Sequence, residues 1–225
     1  MTRDVAVLVP AGGVGLRLGR RTPKQFLRIG NATILATTLR HFVRHPAVRA
    51  IVIAAPAAHL ARAREVARGL RGRVTIEVVE GGATRQESVW RALQAAPADA
   101  PIVLVHDAVR PFISRALIDE IRAAAAAHGA VLCARPIVET VKRVVEGVVE
   151  STLDRSTLWA VQTPQGFRAP LLREAHEKAR RDGIVGTDDA MLVERLGHPV
   201  RVVTGLAENI KITTPGDLRA ARRRR

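Results

Sequence analysis

A chain of 225 residues, of which 47% are hydrophobic and 25% charged, can bury one large core and has an ordinary globular composition. It has no run of about 18 apolar residues and no signal-peptide pattern, and its single cysteine, Cys133, excludes an intramolecular disulfide and a thiolate zinc site. We therefore predict one domain over residues 1–225, located in the cytoplasm, with no membrane partner.

The formal net charge of +15 is typical of proteins that bind nucleic acids. However, the basic residues are spread along the chain, and the only dense run is Arg222–Arg225. With no Tyr, four Phe and two Trp, the chain also lacks an aromatic surface on which single strands could stack. We predict no nucleic-acid partner and a positive field that favours encounters with polyphosphates.

Short apolar runs rich in β-branched residues alternate with helical stretches. The predicted strands are Val5–Val9, Ala50–Ala54, Val74–Val79, Ile102–Val105, Ala130–Ala134 and Val200–Val203. The predicted helices are Thr33–Arg44, Ala57–Leu70, Gln86–Ala95, Ser114–His128 and Pro170–Arg181. This alternation predicts an α/β fold, a Rossmann-like three-layer sandwich with a mostly parallel central sheet whose ligands bind at the carboxyl ends of the strands.

Residues 137–158 break this alternation. Two β-rich runs flank Glu146-Gly147, which predicts a two-stranded β-ribbon that turns on the glycine. An isolated ribbon is only marginally stable in water, so this protruding arm should pack against its own domain or a partner subunit.

The first predicted strand runs into Pro10-Ala11-Gly12-Gly13-Val14-Gly15-Leu16-Arg17, and Pro23-Lys24-Gln25 follows closely. Glycines let backbone N–H groups approach an anion, although the glycines alone also suit a simple turn. A dinucleotide fingerprint fails because Leu18 stands at its third glycine, and a Walker A loop lacks its Gly-Lys-Ser/Thr. Arg17 and Lys24 place fixed cations where charge would develop on a transferring phosphoryl group.

Three further segments follow predicted strands or precede helices. Asp107, after the strand Ile102–Val105, suits a Mg²⁺ that completes its shell with phosphate and water, whereas His106 beside it is interpreted as structural. Gly81–Ser88 opens a helix and suits an anion or a base edge, with Thr84 alternatively a helix-entry residue. Lys211 could reach a triphosphate or merely extend to solvent, and the residues after Leu218 are expected to fray.

Together these motifs resemble the cytidylyltransferases that make 4-diphosphocytidyl-2-C-methyl-D-erythritol, over nearly the whole chain from Pro10 to Leu218. The resemblance implies a fold of the nucleotide-diphospho-sugar transferase type and transfer of CMP from CTP to methylerythritol phosphate with Mg²⁺. Five motifs occur in the order of that family, namely Pro10–Arg17 with Pro23-Lys24-Gln25, Gly81–Ser88, His106–Pro111, Thr140–Arg143 with Asp154-Arg155, and Asn209–Thr214. Ala83, where some relatives have a polar residue, is a departure at the rim of the base pocket.

The resemblance also implies roles for individual residues. The catalytic residues would be Arg17, Lys24, Arg155 and Lys211. CTP would contact Ala11, Gly12, Gly13, Gly15, Arg17, Lys24, Gly82, Arg85, Ser88, Asp107 and Lys211, and Asp107 would also hold Mg²⁺. The sugar-alcohol phosphate would contact Arg110, Thr140, Arg155, Thr163 and Thr187. The arm would exchange across a homodimer, so that Thr140 and Arg155 complete the partner's acceptor site.

Three alternatives remain. A ribitol-5-phosphate cytidylyltransferase has the same architecture, but Pro136–Arg143 followed by Leu153–Arg155 favours the methylerythritol acceptor. A nucleic-acid-binding protein gives no reason for Arg17, Lys24 and Asp107 to follow strands. A catalytically silent nucleotide sensor would not need the full set of cations.

Overall fold

The computed structural model describes residues 3–13, 22–70 and 72–224. Within them, seven strands form a sheet with the order β11-β7-β10-β6-β1-β4-β5, in which only β10 runs antiparallel to its neighbours. These strands are β1 (Val5–Pro10), β4 (Val48–Ala55), β5 (Thr75–Glu80), β6 (Ile102–Val105), β7 (Ala130–Pro136), β10 (Trp159–Arg168) and β11 (Arg201–Thr204). Two small antiparallel pairs are β2 (Arg28–Ile29) with β3 (Ala32–Thr33), and β8 (Val141–Val145) with β9 (Val148–Leu153).

Helices cover both faces of the sheet. They are α1 (Ile34–Val43), α2 (Leu60–Arg68), α3 (Arg85–Ala95), α4 (Arg115–His128), α5 (Ala169–Arg181), α6 (Asp189–Glu194) and α7 (Pro215–Arg223). Val5, Val7 and Val9 of β1 share a buried cluster with α1, α2 and α4. Ala6 and Leu8 point the other way and pack with α3, α5 and α6. This alternation along one buried strand produces the predicted three layers.

The six predicted strands and the five predicted helices are confirmed, with one local difference. The helix predicted over Ala57–Leu70 starts as a 3₁₀ turn, Ala57–His59, before α2 begins at Leu60. Among the described residues, no helix has both the length and the apolar character that a membrane crossing requires.

Strand β10 was not predicted, because Gln162, Thr163, Pro164 and Gln165 are polar or lack a backbone donor. Proline in an interior strand removes a ladder hydrogen bond and is tolerated mainly at a bulge. The pairing of β10 with β7 shifts register between Gln162 and Gln165, which places Thr163 and Pro164 in such a bulge.

The expected fraying after Leu218 is wrong. Helix α7 continues to Arg223, and Leu218 and Ala221 are buried against Ile212 and Leu27. Thr214 and Asp217 form a capping box at its start, so the helix is held at its first turn as well as along its apolar face.

The predicted arm is present as β8 and β9, which pair only with each other among the described strands. Glu146 and Gly147 have φ values of 47° and 84° and form the two-residue turn that suits a twisted hairpin. The arm projects from the fold with four exposed valines, whose exposed fractions are 53% for Val144, 53% for Val145, 70% for Val148 and 56% for Val149.

Candidate active site

A cleft lies where the carboxyl ends of β1, β5 and β6 meet, as expected for a doubly wound sheet. It collects segments that are far apart in the sequence. Its lining consists of Pro10, Ala11, Gly12, Gly13, Lys24, Gln25, Gly82, Ala83, Thr84, Arg85, Ser88, Asp107, Ala108, Val109 and Lys211. The fold therefore brings together the described residues that the sequence assigned to the nucleotide, whereas Gly15 and Arg17 lie outside the described residues.

The loop after β1 is tied to the segment that carries Lys24. The buried Gln25 donates from Nε2 to the Ala11 carbonyl at 2.6 Å, and the Ala11 N–H donates to the Ala54 carbonyl at 2.8 Å. A Cβ at Gly13 would lie 3.1 Å from Lys24 Cε, so the lysine side chain lies directly against this loop. Backbone N–H groups and a fixed cation thus share one wall of the cleft.

The second wall is the loop that enters α3. Ser88 Oγ accepts from the Gly82 N–H at 3.1 Å and donates to the Thr84 carbonyl at 2.9 Å. Glu87 accepts from the Ala83 N–H at 2.9 Å, and Thr84 caps the helix by accepting from the Glu87 N–H. The alternative reading of Thr84 as a helix-entry residue is therefore confirmed, and the loop between Gly82 and Ser88 is held in one shape.

Asp107 is the electrostatic centre of the cleft. Its side chain is 7% exposed, and its Oδ2 lies 2.9 Å from Lys211 Nζ and 3.3 Å from Arg110 Nε. Its Oδ1 lies 3.5 Å from Arg85 Nε. Burial acts to raise the pKa of Asp107, but Lys211, Arg85 and Arg110 outweigh burial and hold the pKa well below its ordinary value. Asp107 is therefore a permanent anion at neutral pH.

Arg85 joins Asp107 to a second buried carboxylate that the sequence analysis missed. Arg85 donates to Asp189 Oδ2 at 2.7 Å, and Asp189 Oδ1 lies 3.0 Å from His176 Nε2. The Asp189 and Ala190 N–H groups both donate to the side-chain oxygen of Gln165. In the sequence, Asp188 and Asp189 precede an apolar run, a pattern that predicts the start of a helix. That pattern does not indicate that Asp189 pairs with a distant arginine.

Arg110 and Thr163, assigned to the acceptor, lie buried behind the cleft and outside its lining. Thr163 Oγ1 accepts from the Asp107 N–H at 3.0 Å and contacts His106 Nδ1 at 3.1 Å. His106 Nε2 contacts the Arg110 carbonyl at 3.1 Å, and burial lowers the pKa of His106 to about 4. The structural interpretation of His106 is therefore confirmed. Thr163 and Arg110 contact the backbone and the side chain of Asp107 and fix its position at the cleft.

The other acceptor assignments lie on the surface of this chain. Thr140, Arg155 and Thr187 are exposed and do not line the cleft. Arg155 donates to the Val138 carbonyl at the base of the arm. Within one chain, the structure therefore does not bring Thr140 or Arg155 together with the nucleotide residues.

The fold and this chain's sequence match one family. A model of the 2-C-methyl-D-erythritol 4-phosphate cytidylyltransferase family matches residues 5–223. A protein of that name from Symbiobacterium thermophilum is 48% identical over 218 residues, which cover 96% of this chain and 91% of the relative. A protein of the same name from Bacillus cereus is 43% identical over 212 residues, which cover 94% of this chain and 93% of the relative.

Solved structures agree. The crystal structure of 2-C-methyl-D-erythritol 4-phosphate cytidylyltransferase from Thermus thermophilus is 39% identical, with a TM-score of 0.80 over 98% of each chain. That of 4-diphosphocytidyl-2C-methyl-D-erythritol synthase from Anaerococcus prevotii is 29% identical, with a TM-score of 0.85 over 97% of this chain and 96% of the other.

Proposed function

Since this chain belongs to the 2-C-methyl-D-erythritol 4-phosphate cytidylyltransferase family and transfers CMP from CTP to that acceptor, we propose that the cleft after β1, β5 and β6 binds CTP. One observation carries the proposal: Lys24, Asp107 and Lys211, from three distant segments, line the same cleft. The loop Gly81–Ser88 receives the cytosine, and the two lysines receive the triphosphate.

The reaction needs positioning and charge rather than proton transfer. The acceptor phosphate is largely deprotonated near neutral pH, so it attacks the α-phosphorus of CTP without a general base and displaces pyrophosphate. Lys24 and Lys211 stabilise the charge on the phosphoryl oxygens at the transition state. Arg17 has the same role in our proposal, which for this residue rests on the sequence resemblance.

Nucleotidyltransferases generally use a divalent metal, and Mg²⁺ fits the donors at Asp107. Mg²⁺ commonly takes one or two carboxylates and completes its shell with phosphate oxygens and water. Within the described part of the chain there is no cluster of three or more His, Cys, Asp or Glu side chains that could hold a metal. Asp107 is the only carboxylate among the described residues that line the cleft, so it would be the side chain that holds the ion. Bound there, Mg²⁺ would neutralise phosphate charge. The Lys211 side chain is 40% exposed and can turn from Asp107 to the triphosphate, which releases Oδ2.

A paired-acceptor assay tests the function. With CTP and Mg²⁺, we expect 2-C-methyl-D-erythritol 4-phosphate to release pyrophosphate with a kcat/KM at least about 100 times that for D-ribitol 5-phosphate, because polar sites reject analogues that leave their groups unpaired. Faster turnover of ribitol 5-phosphate would reverse the assignment of the acceptor while leaving CTP as the donor.

Replacement of Gly82 by alanine tests whether the loop Gly81–Ser88 receives the cytosine. An added Cβ would lie 2.2 Å from Glu87 Cγ and 2.4 Å from Glu87 Cβ, so Glu87 must move and release the Ala83 N–H. Overpacking of this kind costs about 1–3 kcal/mol, and we expect KM for CTP to rise about tenfold with little change in KM for the acceptor. Gly69→Ala, whose nearest contact would be an ordinary 3.5 Å, is the control. An unchanged KM for CTP would place the cytosine elsewhere.

The arm supports a homodimer in our proposal. Strands β8 and β9 bury almost nothing against their own chain. Their exposed valines form two cross-strand pairs, Val144 with Val149 and Val145 with Val148, and exposed apolar side chains of this kind mark interfaces. A ribbon of two strands is marginally stable alone, so contact with a second copy would stabilise it. Arg155 and Thr140 lie at its base and would reach the cleft of the other subunit, where the fork of Arg155 suits a phosphate.

Hybrid dimers test this exchange. One subunit carries Lys24→Ala and the other Arg155→Ala, and differently tagged chains are purified together. If Arg155 acts across the interface, one of the two sites keeps both residues, so the hybrid should have about half the activity of the wild-type dimer. Activity no higher than that of either parent variant would show that Arg155 serves its own chain.

The cytoplasmic location stays a prediction.

A further inference from the structure

A row of alternating charges leads from the cleft to a buried histidine behind it. Lys211 contacts Asp107 at 2.9 Å, Asp107 faces Arg85 at 3.5 Å, and Arg85 binds Asp189 at 2.7 Å. The row ends at His176, whose Nε2 lies 3.0 Å from the second oxygen of Asp189. Asp189 thus divides its two oxygens between the arginine at the cleft and the histidine on α5.

His176 has an environment that favours one polar contact. Its side chain is completely buried and stacks on Trp90, with ring centroids 6.0 Å apart. Its Nδ1 has no hydrogen-bond partner among the described residues, which is an unfavourable state for a buried nitrogen. An apolar side chain would avoid that cost, so the contact with Asp189 is the feature that favours histidine at this position.

We propose that His176 is a positioning residue for CTP binding, acting through Asp189 on Arg85. The inference rests on the proposed role of the cleft. With Nε2 donating to Oδ1, the Asp189 carboxylate has one orientation, and Oδ2 holds the Arg85 guanidinium at a fixed distance from Asp107. Without His176, the carboxylate can rotate and Arg85 can move onto Asp107, where it competes with Lys211 and with the metal of the triphosphate.

The hydrogen bond from His176 should affect the ion pair between Asp189 and Arg85 strongly because Asp189 is buried. Asp189 is 1% exposed, and the pKa of its carboxyl, which burial acts to raise, is lowered by Arg85 and His176. Hydrogen bonds to a buried charged group are among the stronger ones in proteins, so loss of this donor should be felt at the next ion pair in the row.

The test compares three variants of His176 by steady-state kinetics and by calorimetric titration with CTP and Mg²⁺. His176→Phe keeps the ring against Trp90 but deletes the donor, and it should raise KM and Kd for CTP about tenfold while kcat changes less than about threefold. His176→Gln places an amide nitrogen where Nε2 was and should restore both constants to within about threefold. His176→Asn places it at the Nδ1 position and should behave as the Phe variant does.

His45 provides a control outside the cleft lining, where a buried imidazole lies beside a partly exposed carboxylate without a hydrogen bond to it. It is also buried, and its Nε2 lies 3.1 Å from Asp119. His45→Phe should lower Tm without changing KM for CTP, whereas a loss of CTP affinity in proportion to the loss of Tm in both variants would overturn the proposal. If His176→Phe does not fold, the comparison of Gln with Asn decides, and equal affinities for CTP would be contrary evidence.

The outcomes also separate this inference from the proposed function. A wild-type protein that binds no CTP would overturn both. Normal CMP transfer by the wild type, with unchanged Kd for CTP in His176→Phe, would overturn only the role of His176. In an Arg85→Lys background, His176→Phe should add less than about twofold to Kd for CTP, because Asp189 no longer positions a guanidinium. A full tenfold addition there would show that His176 acts by another route.

Discussion

Replacement of Lys24 by alanine should lower kcat by a factor of about 100 to 1,000 while Tm stays within about 1 °C of the wild type. Lys24 lies against the Gly12-Gly13 loop and lines the cleft, so its ammonium would face the phosphates where charge develops in the transition state. The fold should tolerate the change because the neighbouring Gln25 and Phe26 are buried and anchor the turn. Pyrophosphate release at saturating CTP measures the effect.

The control for this prediction is Lys178→Ala. Lys178 pairs with Asp182 at 2.8 Å on the exposed surface of α5, and its removal should leave kcat unchanged. Lys24→Arg, which keeps a cation, should retain more activity than Lys24→Ala. A Lys24→Ala enzyme with wild-type turnover would remove Lys24 from the mechanism.

Replacement of Asp107 by asparagine should have the second large effect, on stability as well as activity. The change leaves Lys211, Arg85 and Arg110 around a neutral amide in a position that is 7% exposed. Removing one member of a buried ion pair typically costs about 3–5 kcal/mol, and Arg85 keeps Asp189, so we expect the lower end, about 3 kcal/mol. At this chain length, that loss corresponds to a fall in Tm of about 10 °C. The rate of CMP transfer should fall below the detection limit of a routine pyrophosphate-release assay.

The pH dependence of Tm tests whether the charge of Asp107 causes the loss of stability in Asp107→Asn. Because its pKa is lower in the folded protein than the unfolded value of about 3.9, its contribution to stability is complete above that value and is lost as pH falls toward the folded pKa. The difference in Tm between wild type and Asp107→Asn should therefore be constant from about pH 5 to 8 and shrink below about pH 4. Asp182→Asn, at an exposed pair, should shift Tm by about 1 °C at most. A Tm difference that persists undiminished into acid would point to packing rather than charge.

The layers of the fold could be read from the sequence because the relevant signals are local. Continuous apolar runs such as Val5–Val9 have to be buried on both faces, and helices between them supply the cover. The cleft followed from the same logic, since loops after parallel strands meet at one edge of a sheet. Ala11, Gly82 and Asp107 are brought together for that reason.

What only the tertiary structure decided depends on contacts between residues that are distant in sequence. Strand β10 enters the sheet antiparallel despite Pro164, because a bulge accommodates the missing donor, and no local pattern announces that. Arg110 and Thr163 carry the polar groups of a binding site, yet they turn inward to support Asp107. The ion pair of Arg85 with Asp189 joins residues 104 positions apart and commits His176 to the same network. By itself, the sequence determined the sheet, the layers and the edge at which the cleft lies, because burial and periodicity are encoded locally. The pairing of Arg85, Asp189 and His176 was decided only by the packing of α3, α5 and α6 around that edge.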